Sequence, residues 1–454
     1  MKNKEINMLD GSIFKGLISM TIPIMVMNVL QSLFSIIDMT VLGVMVNDNA
    51  VGAVGASSTL ISLTTGLLIG IATGSTVVVA KHLGRHEEID TDKAVGTSIL
   101  FSIVSGIVLM IIGLFCAKTF LVWTNCHESL LDDAVLYFKI YFGAVPFILL
   151  YNFSASILRA DGDTRRPMIY LTISGILKIV LNIIFIQFFG MTVEGVGIAT
   201  IISNAVAAGL TFSVLLGNKD HVHFKLKYFR FYSRELKEIL FIGVPTGLQS
   251  ALYSLANTVI TATVNSFGAA ATKGISIANQ FDAVLYHVSV APSYATLSYV
   301  SQNIAVGNVK RAKESIYKSV MITVLFGAIL GSLSAIFSPQ LSSFMSVDPE
   351  VIKFSCQKMV IISSTYFICG IKEVLDSTMR GFGRPIIPTV FTLLYMCLFR
   401  FVWVYLIFPL CPNMTFLYLV WPIGWILQIV TELAFYIPTI KKLTATYSKK
   451  EILV

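Results

Sequence analysis

Apolar stretches of about twenty residues, each long enough to cross ~30 Å of hydrocarbon, succeed one another almost from end to end of this 454-residue chain. Segments of that length read as membrane-spanning helices. The composition agrees: 55% of residues are hydrophobic and 13% charged, against about 25% charged in a soluble globular protein. A water-facing surface cannot be assembled from so few charges. The start, MKNKEINMLDGSIFKG, is too polar and lacks the small-residue cleavage site of a removed signal peptide.

Apolar runs read against polar breaks predict twelve spans, near residues 14–46, 51–80, 94–117, 133–158, 166–189, 194–216, 237–266, 271–301, 314–337, 351–379, 385–409 and 415–440. The breaks alternate in charge. Lys2, Lys4 and Lys15 precede the first span, and the turn NDNA carries no base. Lys81, Arg85 and Lys93 follow, then a hairpin where Lys118 is outnumbered by Glu128, Asp132 and Asp133. The pattern continues through Arg159, Arg165 and Arg166, then the base-free FFGMTVEG. Next come a central loop with Lys219, Lys225, Lys227, Arg230, Arg234 and Lys237, an inner loop with Lys310, Arg311, Lys313 and Lys318, and another with Arg380 and Arg384. Lys441, Lys442, Lys449 and Lys450 close the series. About 25 of the 33 bases thus fall on one side, which the positive-inside rule makes cytoplasmic, with both termini. The net charge of +8 is explained by topology and not by nucleic-acid binding. The tract KLKYFRFYSRELK reads as an amphipathic linker on anionic lipid.

The central loop divides the chain into two sets of six spans. LRADGDTRRPMI follows span four and MRGFGRPIIP follows span ten. Spans one and seven each hold a proline near the inner end, Pro23 and Pro245, then Leu-Gln-Ser and a closing glycine. The expected fold is therefore an all-α integral membrane protein with two pseudo-symmetric six-helix lobes. Residues 1–216 form the first lobe, 217–236 a basic cytoplasmic linker, 237–440 the second lobe and 441–454 a cytoplasmic tail. Repeats of equal orientation are related by an axis along the membrane normal, an arrangement common in secondary transporters.

At this point the sequence resembles the multidrug and toxic compound extrusion (MATE) family, on its bacterial branch. The features are LFSIIDMTVLG with Asp38, GAVGASSTLISLTTGLLIGIATGSTVVVAKHLGR in span two, ILRADGDTRRPMI, NSFGAAATKGISIANQFDAVLY, SQNIAVGN and CGIKEVLDSTMRGFG. Each motif is loose; six in order on twelve spans, covering about residues 14–440, are specific. The resemblance implies a monomeric, multi-pass antiporter of the cell inner membrane that exports lipophilic, cationic organic compounds in exchange for H⁺ or Na⁺. No cofactor, metal or nucleic-acid partner is expected, and the small-molecule cargo and the bilayer are its partners. It also implies that Pro23 is a hinge, against the alternative of a proline in the first helical turn.

No phosphate-cradling GxxxxGK[ST] loop, HExxH or clustered Cys/His site is found, so energy must come from an ion gradient. Cys116, Cys126, Cys356, Cys369, Cys397 and Cys411 are scattered singly without metal-ligand spacing, and apolar helix faces are the expected home of most of them. Intramembrane ionisable groups are the default candidates for coupling. They are Asp38, Lys178, Asp282, His287, Lys372, Glu373, Asp376, Arg400 and Glu432. Lys178 lies eleven residues beyond Pro167, or ~16 Å at 1.5 Å per residue. Its side chain cannot reach either interface. It must pair, deprotonate or face water, and the expected partner is Asp38.

In the resembled family, Asn and Asp commonly occupy the places of Lys178 and Asn182. Here the second acid is an amide and the first amide a cation. Either Lys178 titrates, or coupling has moved to the other lobe, or Asp38 and Lys178 form a static pair. In the second lobe Asp282, Glu373 and Arg400 read either as a cation or substrate site or as a structural network. Lys372 and Asp376, spaced i, i+4, are placed to satisfy each other. His287 either tunes Asp282 or packs in the core. Tyr141, Tyr253 and Tyr286 are candidates to line a cavity for flat cations.

A flippase for lipid-linked oligosaccharide shares such a layout, but it would need several bases for pyrophosphate. A polytopic transferase would need a catalytic cluster at one face, and none is found. Two non-identical lobes argue against a channel.

Overall fold

A computed structural model describes residues 6–124, 126–217 and 222–451. The expectations placed on Lys2, Lys4, Lys219 and the ends of both termini lie outside them, as do the side chains of Lys449 and Lys450. The described residues are almost wholly helical and contain no strand.

The long helices are α1 Ile13–Met45, α2 Asp48–Gly84, α3 Glu88–Trp123, α4 Glu128–Ala160, α5 Arg165–Gln187, α6 Val193–Leu216, α7 Ser233–Asn265, α8 Ala269–Ala305 and α9 Val309–Ile336. Then come α10 Pro349–Gly381, the interrupted α11 Ile386–Leu410, and α12 Val420–Glu451, preceded by the short Met414–Tyr418. Side chains stop the chain from overrunning its breaks. Asn47, Asn308 and Asp348 each accept a backbone N–H of the helix they precede, at 2.8, 3.0 and 2.9 Å. The turns after α4 and α10 bend at Gly162 (φ +90°) and Gly383 (φ +73°), a region that a Cβ disfavours.

Ten of these segments carry an apolar window long enough to cross a membrane. The exceptions, α7 and α8, have the length but more Ser, Thr, Asn and Gln. Apolar side chains cover the outside. On α3, Val108, Ile111 and Phe115 are exposed, and on α9, Leu325, Ile329 and Leu333. An apolar belt of this extent is a lipid-facing surface.

The chain divides into two compact units, one chiefly Val26–Gly247, the other Asn7–Met25 with the residues from Leu248 onward. The divisions run inside α1 and α7, each two residues beyond its proline, Pro23 or Pro245. Pro23 is ten residues into α1, so the first-turn reading is corrected. Within the first unit α4 is the hub, packing on α2, α3 and α6, while α5 packs on α6. Within the second, α10 is the hub, packing on α8, α9 and α12. The fourth span of each six thus holds the same central place.

The opening half of α7 belongs to the first unit through a seam of small residues. A Cβ on Gly74 would lie 2.2 Å from the Ile239 carbonyl oxygen, and one on Gly247 2.1 Å from that of Leu67. Backbones approach this closely only where side chains are absent. The stretch before α7 is an irregular strap with one 3₁₀ turn, Leu226–Tyr228. Lys225 donates to Asp92 at 2.7 Å, and that carboxylate raises the lysine's pKa above its ordinary value. In the second unit, Arg311 donates to the carbonyls of Met8, Asp10 and Gly11, holding the segment before α1. α12 runs through to Glu451, so much of the expected tail is a helical extension.

Candidate functional site

Each unit encloses a cavity lined by ionisable and aromatic side chains. The cavity of the first unit has a volume of about 410 Å³. Its acid comes from α1 and its base from α5, which come close because Gly175 leaves space. A Cβ there would meet the Phe34 ring at 1.9 Å. One turn further along α5, Lys178 Nζ donates to Asp38 Oδ2. A turn beyond that, Asn182 Nδ2 donates to Asp38 Oδ1 at 2.7 Å. Both carboxylate oxygens are therefore occupied by donors from one helix. The carbonyl oxygen of Asn182 is buried and has no hydrogen-bond partner. Tyr141 lines the same cavity, and so do Tyr137, Asn152 and Asn204, which the sequence reading did not single out.

The cavity of the second unit, about 290 Å³, is lined by Tyr253, Tyr286, His287 and Asp282. Asp282 is held by a residue the sequence reading missed. Lys358 of α10 reaches its Oδ2 at 2.6 Å and also donates to Asn279. The signal was an isolated lysine in the apolar run CQKMVII. Glu373 is not a lining residue. It pairs with Lys372 at 2.6 Å, and Lys372 lies 3.2 Å from Asp376. Arg400 stands outside the expected Asp/Glu–Arg network. Its partners include the Asn257 amide oxygen at 2.6 Å, Met396, the Tyr253 hydroxyl, and the rings of Tyr253 and Trp421. Leu393–Leu398 and Trp403–Ile407, on either side of its turn, are wound as π-helix, a winding that recurs at functional positions.

A further polar core surrounds Asp376. Gln249 and Gln428 donate to its two oxygens at 2.7 and 3.0 Å, and Gln428 also donates to Glu432 at 3.0 Å. The first unit hides another cluster, where α2 meets α7. His82, fully buried, places Nδ1 2.6 Å from Glu87 and Nε2 3.0 Å from Glu235. His82, Glu87 and Asp90 have metal-like spacing. Both imidazole nitrogens already face carboxylates, which suits an imidazolium and not a ligand.

Two helical units with matching hubs and buried ion pairs at depth define a polytopic membrane transporter. The MatE family model matches residues 23–184 and 245–406, once in each half. The chain belongs to that family, the multidrug and toxic compound extrusion transporters. It is 27% identical over 390 residues to "Probable multidrug resistance protein YoeA" of Bacillus subtilis (strain 168), covering 84% of each chain. "Probable multidrug resistance protein NorM" of Thermotoga maritima is 27% identical over 385 residues, with 83% and 82% covered. The solved structure "Outward-facing conformation of a multidrug resistance MATE family transporter of the MOP superfamily" has a TM-score of 0.91 at 18% identity, covering 98% of this chain and 100% of that one. That likeness bears on the fold alone.

Proposed function

We propose that this chain exports an organic molecule across the cell membrane in exchange for protons, working as a monomer with both termini in the cytoplasm. The observation that carries the coupling is the occupancy of Asp38. With Lys178 on one oxygen and Asn182 on the other, a tethered ammonium already fills the place of a free cation beside Asp38, whereas a proton needs only to replace that ammonium. Protonation of Asp38 would neutralise the attraction and release Lys178. The freed ammonium would then need water or another acceptor in the cavity, because an unpaired buried charge is costly. Its release would loosen α5 from the upper part of α1. Pro23, which leaves the Ser19 carbonyl without its helical donor, is the proposed hinge. Deprotonation to the cytoplasm would restore the pair and reset the cycle.

The test is dye movement in proteoliposomes under imposed gradients. A pH gradient should drive export with sodium equal on both sides, and a sodium gradient alone should not. Export driven by sodium at uniform pH would refute the proton assignment.

A further inference from the structure

The second unit buries a cation with no acid to balance it. Arg400 is 1% exposed. Among the described residues no carboxylate is recorded as its partner; it meets an amide oxygen, a thioether, the Tyr253 hydroxyl and two aromatic rings, with its guanidinium 5.1 Å from the Tyr253 ring centre and 5.3 Å from that of Trp421. Asn257, Tyr253 and Trp421 are themselves walls of the 290 Å³ cavity. Arg400 does not itself line the cavity, as the sequence suggested it would, but stands behind those three residues; the lysine and carboxylate that do line it cancel, since Lys358 is met by Asp282 at 2.6 Å. Lys372, farther along α10, has Glu373 and Asp376. The wall therefore carries one uncompensated positive charge in a medium of low dielectric, where it acts strongly on whatever enters.

We propose that this cavity is a binding site for a planar aromatic anion. The acidic group would lie against the Asn257–Arg400 wall, and the ring among Tyr253, Tyr286 and Trp421. A second observation constrains the ligand further. Asp282 lines the cavity, and its Oδ1 is buried with no hydrogen-bond partner. A buried acceptor of this kind takes an N–H or O–H donor. The molecule is thus an aromatic acid that also bears a donor group. This names the cargo class for the transporter reading, on which it rests, and it replaces the flat cation expected from the aromatic residues alone. A cation would enter against Arg400, a like-charge placement that interfaces select against.

Two ring-matched dyes test it: fluorescein, anionic, and pyronin Y, cationic, share the xanthene ring. Binding to the purified full-length protein in a non-ionic detergent is read by fluorescence polarisation. Fluorescein should bind at least ~10-fold more tightly than pyronin Y. Arg400→Gln should erase that preference, and Arg400→Lys should keep most of it. Equal or tighter binding of pyronin Y to the unmutated protein would overturn the proposal, as would failure of fluorescein to bind. An unchanged preference in Arg400→Gln would overturn it too. Should Arg400→Gln fail to fold, the comparison on the unmutated protein and Arg400→Lys decides. If the anion preference holds while no gradient moves fluorescein out of vesicles, the site stands and the proton-coupling reading falls.

Discussion

Lys178 and Asp38 lie 140 positions apart in the chain, and the ammonium of one donates directly to the carboxylate of the other. The polar pair on α5 is a base and an amide, both spent on a single acid. A mobile counter-ion would thereby be replaced by a tethered one, which gives the pair distinct behaviour when either member is removed.

Lys178→Met should leave Asp38 with Asn182 alone and lower stability by about 1–3 kcal/mol. Asp38→Asn should do the same by stranding the lysine. The double variant should recover most of the loss, because breaking a buried pair costs more than deleting it. Thermal midpoints in detergent measure this, and strictly additive losses would contradict a coupled pair.

Lys358 and Asp282 make the corresponding prediction in the second unit. Each is almost fully buried, so Lys358→Met should cost about 3–5 kcal/mol and Lys358→Met with Asp282→Asn markedly less. Denaturation of the three proteins side by side provides the comparison.

Gly175→Val should push α1 from α5, since a Cβ at that position already overlaps the Phe34 ring. Overpacking of this kind costs about 1–3 kcal/mol. Phe34→Ala in the same chain should relieve much of it. Cysteine cross-linking between α1 and α5 would report the altered approach.

His82→Ala removes the bridge between Glu87 and Glu235 and leaves Glu235, 2% exposed, facing a void. The expected loss is about 3–5 kcal/mol. Glu235→Gln in the His82→Ala background should restore part of it. A stability unaffected by His82→Ala would show that the cluster does not tie α7 to α2.

Spans and family were legible because they rest on local signals: the length of apolar runs, the alternation of bases in the loops, and motifs in order. Lys178 was legible for the same reason, as an ion at a depth its side chain cannot escape. What needed coordinates was pairing across the fold. Lys358 gives no sign in the sequence that Asp282, 76 residues earlier, is its partner. The cluster of His82 with Glu235 joins residues that the topology places at the ends of two different runs. The sequence leaves Arg400 open between a cation or substrate site and a structural network, because its partners Asn257 and Trp421 come from other helices. No periodicity announces the π-windings on both sides of its turn.

The most direct test of the central claim is proton exchange by the purified transporter in lightly buffered detergent solution, followed with a pH dye as fluorescein is added. If transport is coupled through Asp38, binding at a pH low enough to protonate that carboxylate should release more protons from the unmutated protein than from Asp38→Asn. Equal proton release from both proteins would contradict the account.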